Sequence, residues 1–166
     1  MAGNVSLEIR DGVINGAVAA AYGLDKGNVI EGNSVINVYG GDFSGQPRQG
    51  EAFIAGAIAN KGWLKGDVSV TVDSRESAGI FALPENGAVS AGRPYGQNLP
   101  ELEGNKLGKD ENSRIGLNIF SRVDSKAWAA TRIIGDGGTG KAADQSFIGG
   151  WVDIIIDAPG ADLGFI

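Results

Sequence analysis

The chain has 166 residues and a net charge of −6, and it contains 28 glycines but no histidine and no cysteine. The missing residue types remove the commonest general base, the commonest metal ligand and the best nucleophile, and they exclude disulfide bonds. The acidic balance disfavours a general nucleic-acid binder, and no apolar run approaches the roughly 18 residues of a membrane span.

Apolar residues recur at every second position in short runs, which is typical of strands with one buried and one wet face. Turn sequences rich in glycine and asparagine separate these runs. The alanine-rich segment 17–22 is compatible with either a helix or a strand, and the sequence leaves the choice open. A strand is favoured over 52–60, because Gly56 would cost a helix about 1 kcal/mol. Strands are predicted at residues 4–10, 12–18, 33–39, 52–59, 67–73, 77–83, 114–122, 127–134 and 147–157.

Eight or nine strands spaced about ten residues apart predict an all-β fold. We expect one antiparallel β-sandwich of jelly-roll type over residues 1–157, with extended termini. Residues 84–113 contain three prolines and no clear periodicity, so they are predicted to form a long irregular loop or arm. Residues 158–166 are predicted to form a C-terminal tail, because proline and glycine end the last strand.

Six apolar residues in the loop and the tail are candidate subunit contacts. The apolar side chains of the loop leucines are expected to pack either on their own sheet or on a neighbouring subunit. Chain termini are normally polar and frayed, so an apolar tail is expected to dock on its own core or on an adjacent subunit. The six candidates are Leu99, Leu102, Leu107, Leu163, Phe165 and Ile166.

Residues 135–142 nearly spell a phosphate-binding loop, but Ala142 stands where the motif requires a hydroxyl. A strand, rather than the helix that binds phosphates, is expected to follow. The segment is therefore predicted to be a turn. No catalytic residue, cofactor site or metal site is predicted, and Trp63, beside a turn, is the residue to test for a carbohydrate site.

Residues 28–41 resemble a rung of an autotransporter β-helix passenger. The resemblance is short and does not repeat along the chain, whereas a solenoid needs at least three stacked repeats. A sandwich, and not a solenoid, is therefore predicted.

These features predict a non-enzymatic structural assembly subunit: a bacteriophage or viral virion protein such as a capsid or decoration protein. Its expected partners are copies of itself, as a homo-oligomer, and other structural proteins, with no nucleic acid and no membrane. It is expected to be made in the host cytoplasm and to reside in the virion. The alternative is a secreted or surface binding module, such as a fimbrial subunit, an adhesin or a lectin, which requires an export signal that residues 1–10 do not show.

Overall fold

The computed structural model describes residues 2–23, 28–44, 53–59, 62–75, 77, 81–82, 88–94, 106–120, 132–136 and 147–159. These residues form fifteen strands and no α-helix, and every strand pairing between them is parallel. The chain visits the same sheets in the same order again and again, so it winds as a parallel β-helix.

Three sheets and one short strand pair make up the walls of the coil. The long sheet consists, in spatial order, of β1 (Val5–Ile9), β4 (Ser34–Val38), β8 (Val68–Asp73), β12 (Arg114–Phe120) and β15 (Trp151–Asp157). The second sheet consists of β2 (Ala17–Gly23), β6 (Phe53–Ala59), β10 (Ala88–Pro94) and β13 (Arg132–Asp136). The third sheet consists of β3 (Val29–Ile30), β7 (Trp63–Leu64), β11 (Lys106–Leu107) and β14 (Phe147–Ile148). The short pair is β5 (Gly41–Asp42) with β9 (Phe81–Ala82).

The core is a set of columns in which equivalent residues of successive coils stack on one another. In the long sheet, one column is Leu7, Ile36, Val70, Leu117 and Ile154, and the next is Ile9, Val38, Val72, Ile119 and Ile156. The members in β4, β8 and β12 are completely buried. Each such side chain contributes about 1.5–3 kcal/mol of transfer free energy, so these columns are the main source of stability.

The corner before the long sheet repeats a Gly-Asx pair. Asn4 Oδ1 accepts a hydrogen bond from Asn33 N at 2.9 Å, Asn33 Oδ1 from Asp67 N at 2.9 Å, and Asp67 Oδ1 from Arg114 N at 2.8 Å. The side chain of one coil thus satisfies a backbone donor of the next coil. The preceding residue is Gly32 in the second coil and Gly66 in the third.

Gly56 lies where the second sheet crosses close to the long sheet. The pairing aligns Ala55 with Ser90 and Ala57 with Gly92 but passes over Gly56, whose carbonyl accepts a hydrogen bond from Ser34 Oγ at 2.5 Å. A Cβ atom at Gly56 would overlap Val68 Cγ1 and lie 2.6 Å from the carbonyl oxygen of Ala91. Glycine is therefore required here by the close approach of two sheets.

The predicted antiparallel sandwich is wrong, because all the sheets are parallel. Period-two alternation reports that a strand has one dry and one wet face, and it carries no information about the direction of neighbouring strands. Parallel sheets are usually covered on both faces, which favoured the antiparallel interpretation. In a β-helix the outer face of a parallel sheet meets solvent, so the alternation is retained.

Several predicted strands are present with shifted bounds. The strand favoured over residues 52–60 is confirmed as β6, and the open segment 17–22 lies in a strand, β2. Residues 84–113, predicted to be irregular, contain β10 and β11. Their alternation is hidden because β10 contains Gly92 and ends at Pro94, while β11 has only two residues.

Candidate functional site: the open edge of the long sheet

The last strand of the long sheet, β15, is the clearest candidate for a functional surface. Among the described strands it pairs only with β12, so its other edge is open within the described part of the chain. Trp151 is 58% exposed, Ile155 55%, Val152 39% and Ile154 37%. A contiguous apolar patch at an open strand edge is typical of an interaction site, because such an edge is otherwise an aggregation hazard.

The outer row of the long sheet changes character at this strand. Residues at one outward position are Glu8, Asn37, Thr71 and Asn118 in the first four strands, and Ile155 in the fifth. At this position polar side chains line the first four strands, and a large apolar side chain takes their place in β15. The central strands also have apolar outward residues, Val35 in β4 and Phe120 in β12, but these are half-buried, whereas Ile155 is exposed.

Charges flank the apolar residues of β15. Asp153 forms an ion pair with Arg114 at 3.5 Å, with both side chains more than half exposed, and the Arg114 guanidinium lies 5.3 Å from the centre of the Trp151 ring. Asp157 ends the strand and is exposed. The edge thus has an apolar centre and an acidic end.

The opposite edge of the same sheet is β1, which pairs only with β4 among the described strands. Its inward residues Val5, Leu7 and Ile9 are half-buried, whereas their equivalents in the middle of the sheet are fully buried or nearly so. Arg10 follows the strand, with its Nε 2.5 Å from Glu8 Oε1 and its guanidinium 5.1 Å from the centre of the Tyr39 ring. Each edge strand of the long sheet therefore has a single neighbour among the described strands, and its inward side chains are not fully buried.

The described carboxylates with shifted pKa values have local partners. Hydrogen bonds from the Ser44 hydroxyl at 2.6 Å and the Ser44 amide at 2.9 Å lower the pKa of Asp42. Hydrogen bonds from the Arg75 side chain, at 3.0 Å from Nε and 2.8 Å from Nη2, lower the pKa of Asp73. Both carboxylates are therefore held in the ionised form by neighbouring residues of the same chain.

Most of the predicted contact residues lie outside the described residues: Leu99, Leu102, Leu163, Phe165 and Ile166. Leu107 is in β11, whose backbone pairs with Leu64 and Ile148. Of the phosphate-loop-like segment, Gly135 and Asp136 end β13, and the rest is outside the described residues.

Trp63, singled out for a carbohydrate test, has polar neighbours on its own chain. Its indole Nε1 donates a hydrogen bond to the carbonyl oxygen of Gly108 at 2.9 Å, and the Lys65 ammonium lies 4.7 Å from the ring centre. The half-buried ring therefore connects the coil that contains β7 to the coil that contains β11.

Sequence reasoning missed β15 as a site, although its signal is present. The strand reads Trp-Val-Asp-Ile-Ile-Ile-Asp, with apolar residues on both faces. A strand inside the long sheet, such as β8, places serine, threonine and aspartate on its outer face.

Within the described residues, no cluster of three or more acidic side chains has the geometry of a metal site, and no helix is long and apolar enough to span a membrane. No family model, curated protein or solved structure matches this chain.

Proposed function

We propose that this protein is a non-enzymatic structural assembly subunit that acts through contacts between polypeptides, as a virion component of the capsid or decoration type. The observation that carries the proposal is the open, apolar edge strand β15, which exposes Trp151, Ile154 and Ile155 at the end of the long sheet. Burying this edge against another chain removes apolar surface from water and satisfies unpaired backbone groups.

The β-helix suits this task for a second reason. Each coil is held by backbone ladders and by columns of stacked side chains, so the fold presents a rigid edge at each end. A rigid edge loses little conformational entropy when it binds, which favours stable assembly.

Particle fractionation tests the proposal. Virions purified from the source of this sequence should contain the chain at a fixed ratio to the major shell protein, and it should survive a high-salt wash. Recovery of the chain only in the soluble fraction, with none in particles, would contradict the virion assignment.

A second candidate is a surface binding module of the adhesin type. Residues 28–41, which resemble an autotransporter β-helix rung, form part of one coil of the β-helix: they contain β3, β4 and the first residue of β5. Surface labelling of intact cells distinguishes the two candidates: an adhesin is labelled on the cell exterior, whereas a virion subunit is recovered in particles.

A further inference from the structure

We propose that the long sheet continues from one copy of the chain into the next, with β1 of a second copy pairing in parallel with β15. The inference rests on the proposed function and identifies the partner of the β15 edge as a second copy of this chain. The expected register places Val5 opposite Val152, Leu7 opposite Ile154 and Ile9 opposite Ile156, as in the pairings inside the sheet.

The hydrogen-bonding groups of the two open edges match. In β1, Val5 N donates to Asn33 O, so by alternation Ser6 and Glu8 direct their backbone groups to the open side. In β15, Trp151 N donates to Ser113 O, so Val152, Ile154 and Ile156 direct theirs to the open side.

Inside the sheet, the backbone groups of inward residues in one strand bond to the backbone groups of outward residues in the next strand. Val5 N donates to Asn33 O, and Tyr39 N donates to Ile9 O. Val5 and Ile9 are inward residues of β1, whereas Asn33 and Tyr39 occupy outward positions at the two ends of β4. When β1 of a second copy docks on β15, the backbone N–H and C=O groups of the inward residues of β15 meet those of the outward residues of β1. The junction therefore repeats the internal pattern without a shift in register.

The side chains of the inner column match as well. Leu7 is half-buried and Ile154 is 37% exposed, whereas the residues between them in the same column are fully buried. Stacking Leu7 of one copy on Ile154 of another would bury both. A one-residue slip would turn apolar side chains of β1 to the wet face, so the inner column fixes the register.

Charge selects β1 as the occupant. In the proposed register Arg10 lies opposite Asp157, and Ser6, a hydrogen-bond donor, lies opposite Asp153. β1 also brings one anion, Glu8, but together with its ion-pair partner Arg10, whereas a second β15 strand would bring two aspartates and no cation to an edge that already has two aspartates. Opposite charges across paired strands stabilise, and like charges destabilise.

The long sheet has five strands and the second and third sheets have four each in the described residues, so β15 extends one strand beyond them. The proposed contact is therefore confined to the edge of the long sheet. It is heterologous, since it joins two different surfaces, and it produces chains of increasing length rather than a closed dimer.

Charge reversal of the paired residues tests the proposal by sedimentation velocity over a range of concentrations. The wild-type protein should form species that grow with concentration. Arg10→Glu and Asp157→Lys should each weaken association about tenfold, because like charges then face each other. An equimolar mixture of the two variants should return to within about threefold of wild type, since each variant supplies the complement of the other. Glu111→Lys, in an exposed turn, is the matched control and should leave association unchanged.

Ile154→Pro provides a second test that does not depend on charge. It removes an amide on the open side of β15 and leaves the donors to β12, so association should be lost while the urea midpoint changes little. Ser6→Pro should have the same effect from the β1 side.

Three results would overturn the proposal: a wild-type protein that stays monomeric at every concentration, a mixture as weak as the single variants, or loss of association in Asp157→Lys with none in Arg10→Glu. The last result would mean that β15 pairs with a second β15. If the chain is nevertheless found in purified particles, the proposed function stands and only the head-to-tail contact fails.

Discussion

The first three coils and the later ones stack the same core columns, but the corners that connect their strands differ. Val5, Ser34, Val68, Ile115 and Val152 hold equivalent positions, so successive coils take 29, 34, 47 and 37 residues. Despite this spread, the inner columns keep their register from β1 to β15. Insertions are accommodated outside the core, because a corner that lengthens toward solvent disturbs no stacked side chain.

The corner before the long sheet shows the contrast most directly. In the early coils it is a tight Gly-Asx turn, Gly3-Asn4, Gly32-Asn33 and Gly66-Asp67. In the fourth coil a turn over residues 109–112 is inserted, and Ser113 Oγ accepts hydrogen bonds from Lys109 N at 2.8 Å and Asp110 N at 3.3 Å. Arg114 then replaces the Asx residue and ends the side-chain ladder. Substitutions in the early coils should therefore cost more than comparable ones in the inserted turn.

The largest expected effect is at Gly56, where the second sheet meets the long sheet. Gly56→Ala should lower the free energy of unfolding by about 3 kcal/mol, because its Cβ would overlap Val68 and approach the Ala91 carbonyl. Urea denaturation measures the change. Gly116→Ala is the control, since its Cβ would lie 3.9 Å from the nearest atom, and it should change stability by less than about 0.5 kcal/mol. Equal effects would show that the two sheets do not approach at Gly56.

The next effect is at the tight corner. Gly66→Ala should cost about 2 kcal/mol, because the new Cβ would collide with the backbone carbonyl of Gly32 in the coil before it. Gly3→Ala, at the same corner of the first coil, has no atom within 4 Å of its Cβ and should be neutral. Thermal unfolding of the two variants measures the difference, and a neutral Gly66→Ala would argue against the stacked corner.

The Asx ladder should contribute less. Asn33→Ala leaves the Asp67 amide without its side-chain acceptor and should cost about 1 kcal/mol. Asn112→Ala, in the inserted turn, keeps the hydrogen bond that the backbone amide of residue 112 donates to the Asp110 carboxylate and should be silent in the same urea experiment. If both substitutions were silent, the ladder would have no energetic role.

The smallest effect depends on pH. Because the Arg75 side chain lowers the pKa of Asp73 in the folded protein, this contact stabilises above the ordinary value of 3.8 and is lost as pH falls below it. Asp73→Asn should therefore cost up to about 1 kcal/mol at pH 7 and less at pH 3, since Arg75 is half exposed and the pair is screened. Urea midpoints at the two pH values measure the change, with Glu111→Gln as the control. A cost that does not fall at low pH would exclude this ion pair as its origin.

Strand faces could be predicted from the sequence, and strand direction could not. The alternation over Val68, Val70 and Val72 identifies the buried face of β8 correctly, because burial is a local property of the pattern. Whether the neighbouring strand runs parallel depends on residues 34 or 47 positions away, and the unequal coil lengths conceal that repeat. Two-residue strands such as β7 and β11 are too short to have a period at all.

The repeat becomes visible only after the strands are aligned. Val29-Ile30-Glu31-Gly32-Asn33 and Trp63-Leu64-Lys65-Gly66-Asp67 share an apolar pair, a charge, a glycine and an Asx residue. The lysine and glutamate of this pattern form an ion pair across the coils, with Nζ 2.8 Å from Oε1. The candidate site was missed for a related reason: residues exposed at the end of a β-helix are apolar like those of the core, and only their place in the stack distinguishes them.

Disulfide cross-linking across the junction tests the central claim most directly. Because the chain has no natural cysteine, only the introduced thiols can react. After oxidation, Ser6→Cys and Asp153→Cys should each run at the mass of a single chain on a denaturing, non-reducing gel, while an equimolar mixture should give a disulfide-linked species of twice the chain mass, because facing Cα atoms in paired strands lie within disulfide reach. A mixture that yields no mixed disulfide, or an Asp153→Cys protein that cross-links to itself as readily as to its partner, would contradict the head-to-tail continuation of the long sheet.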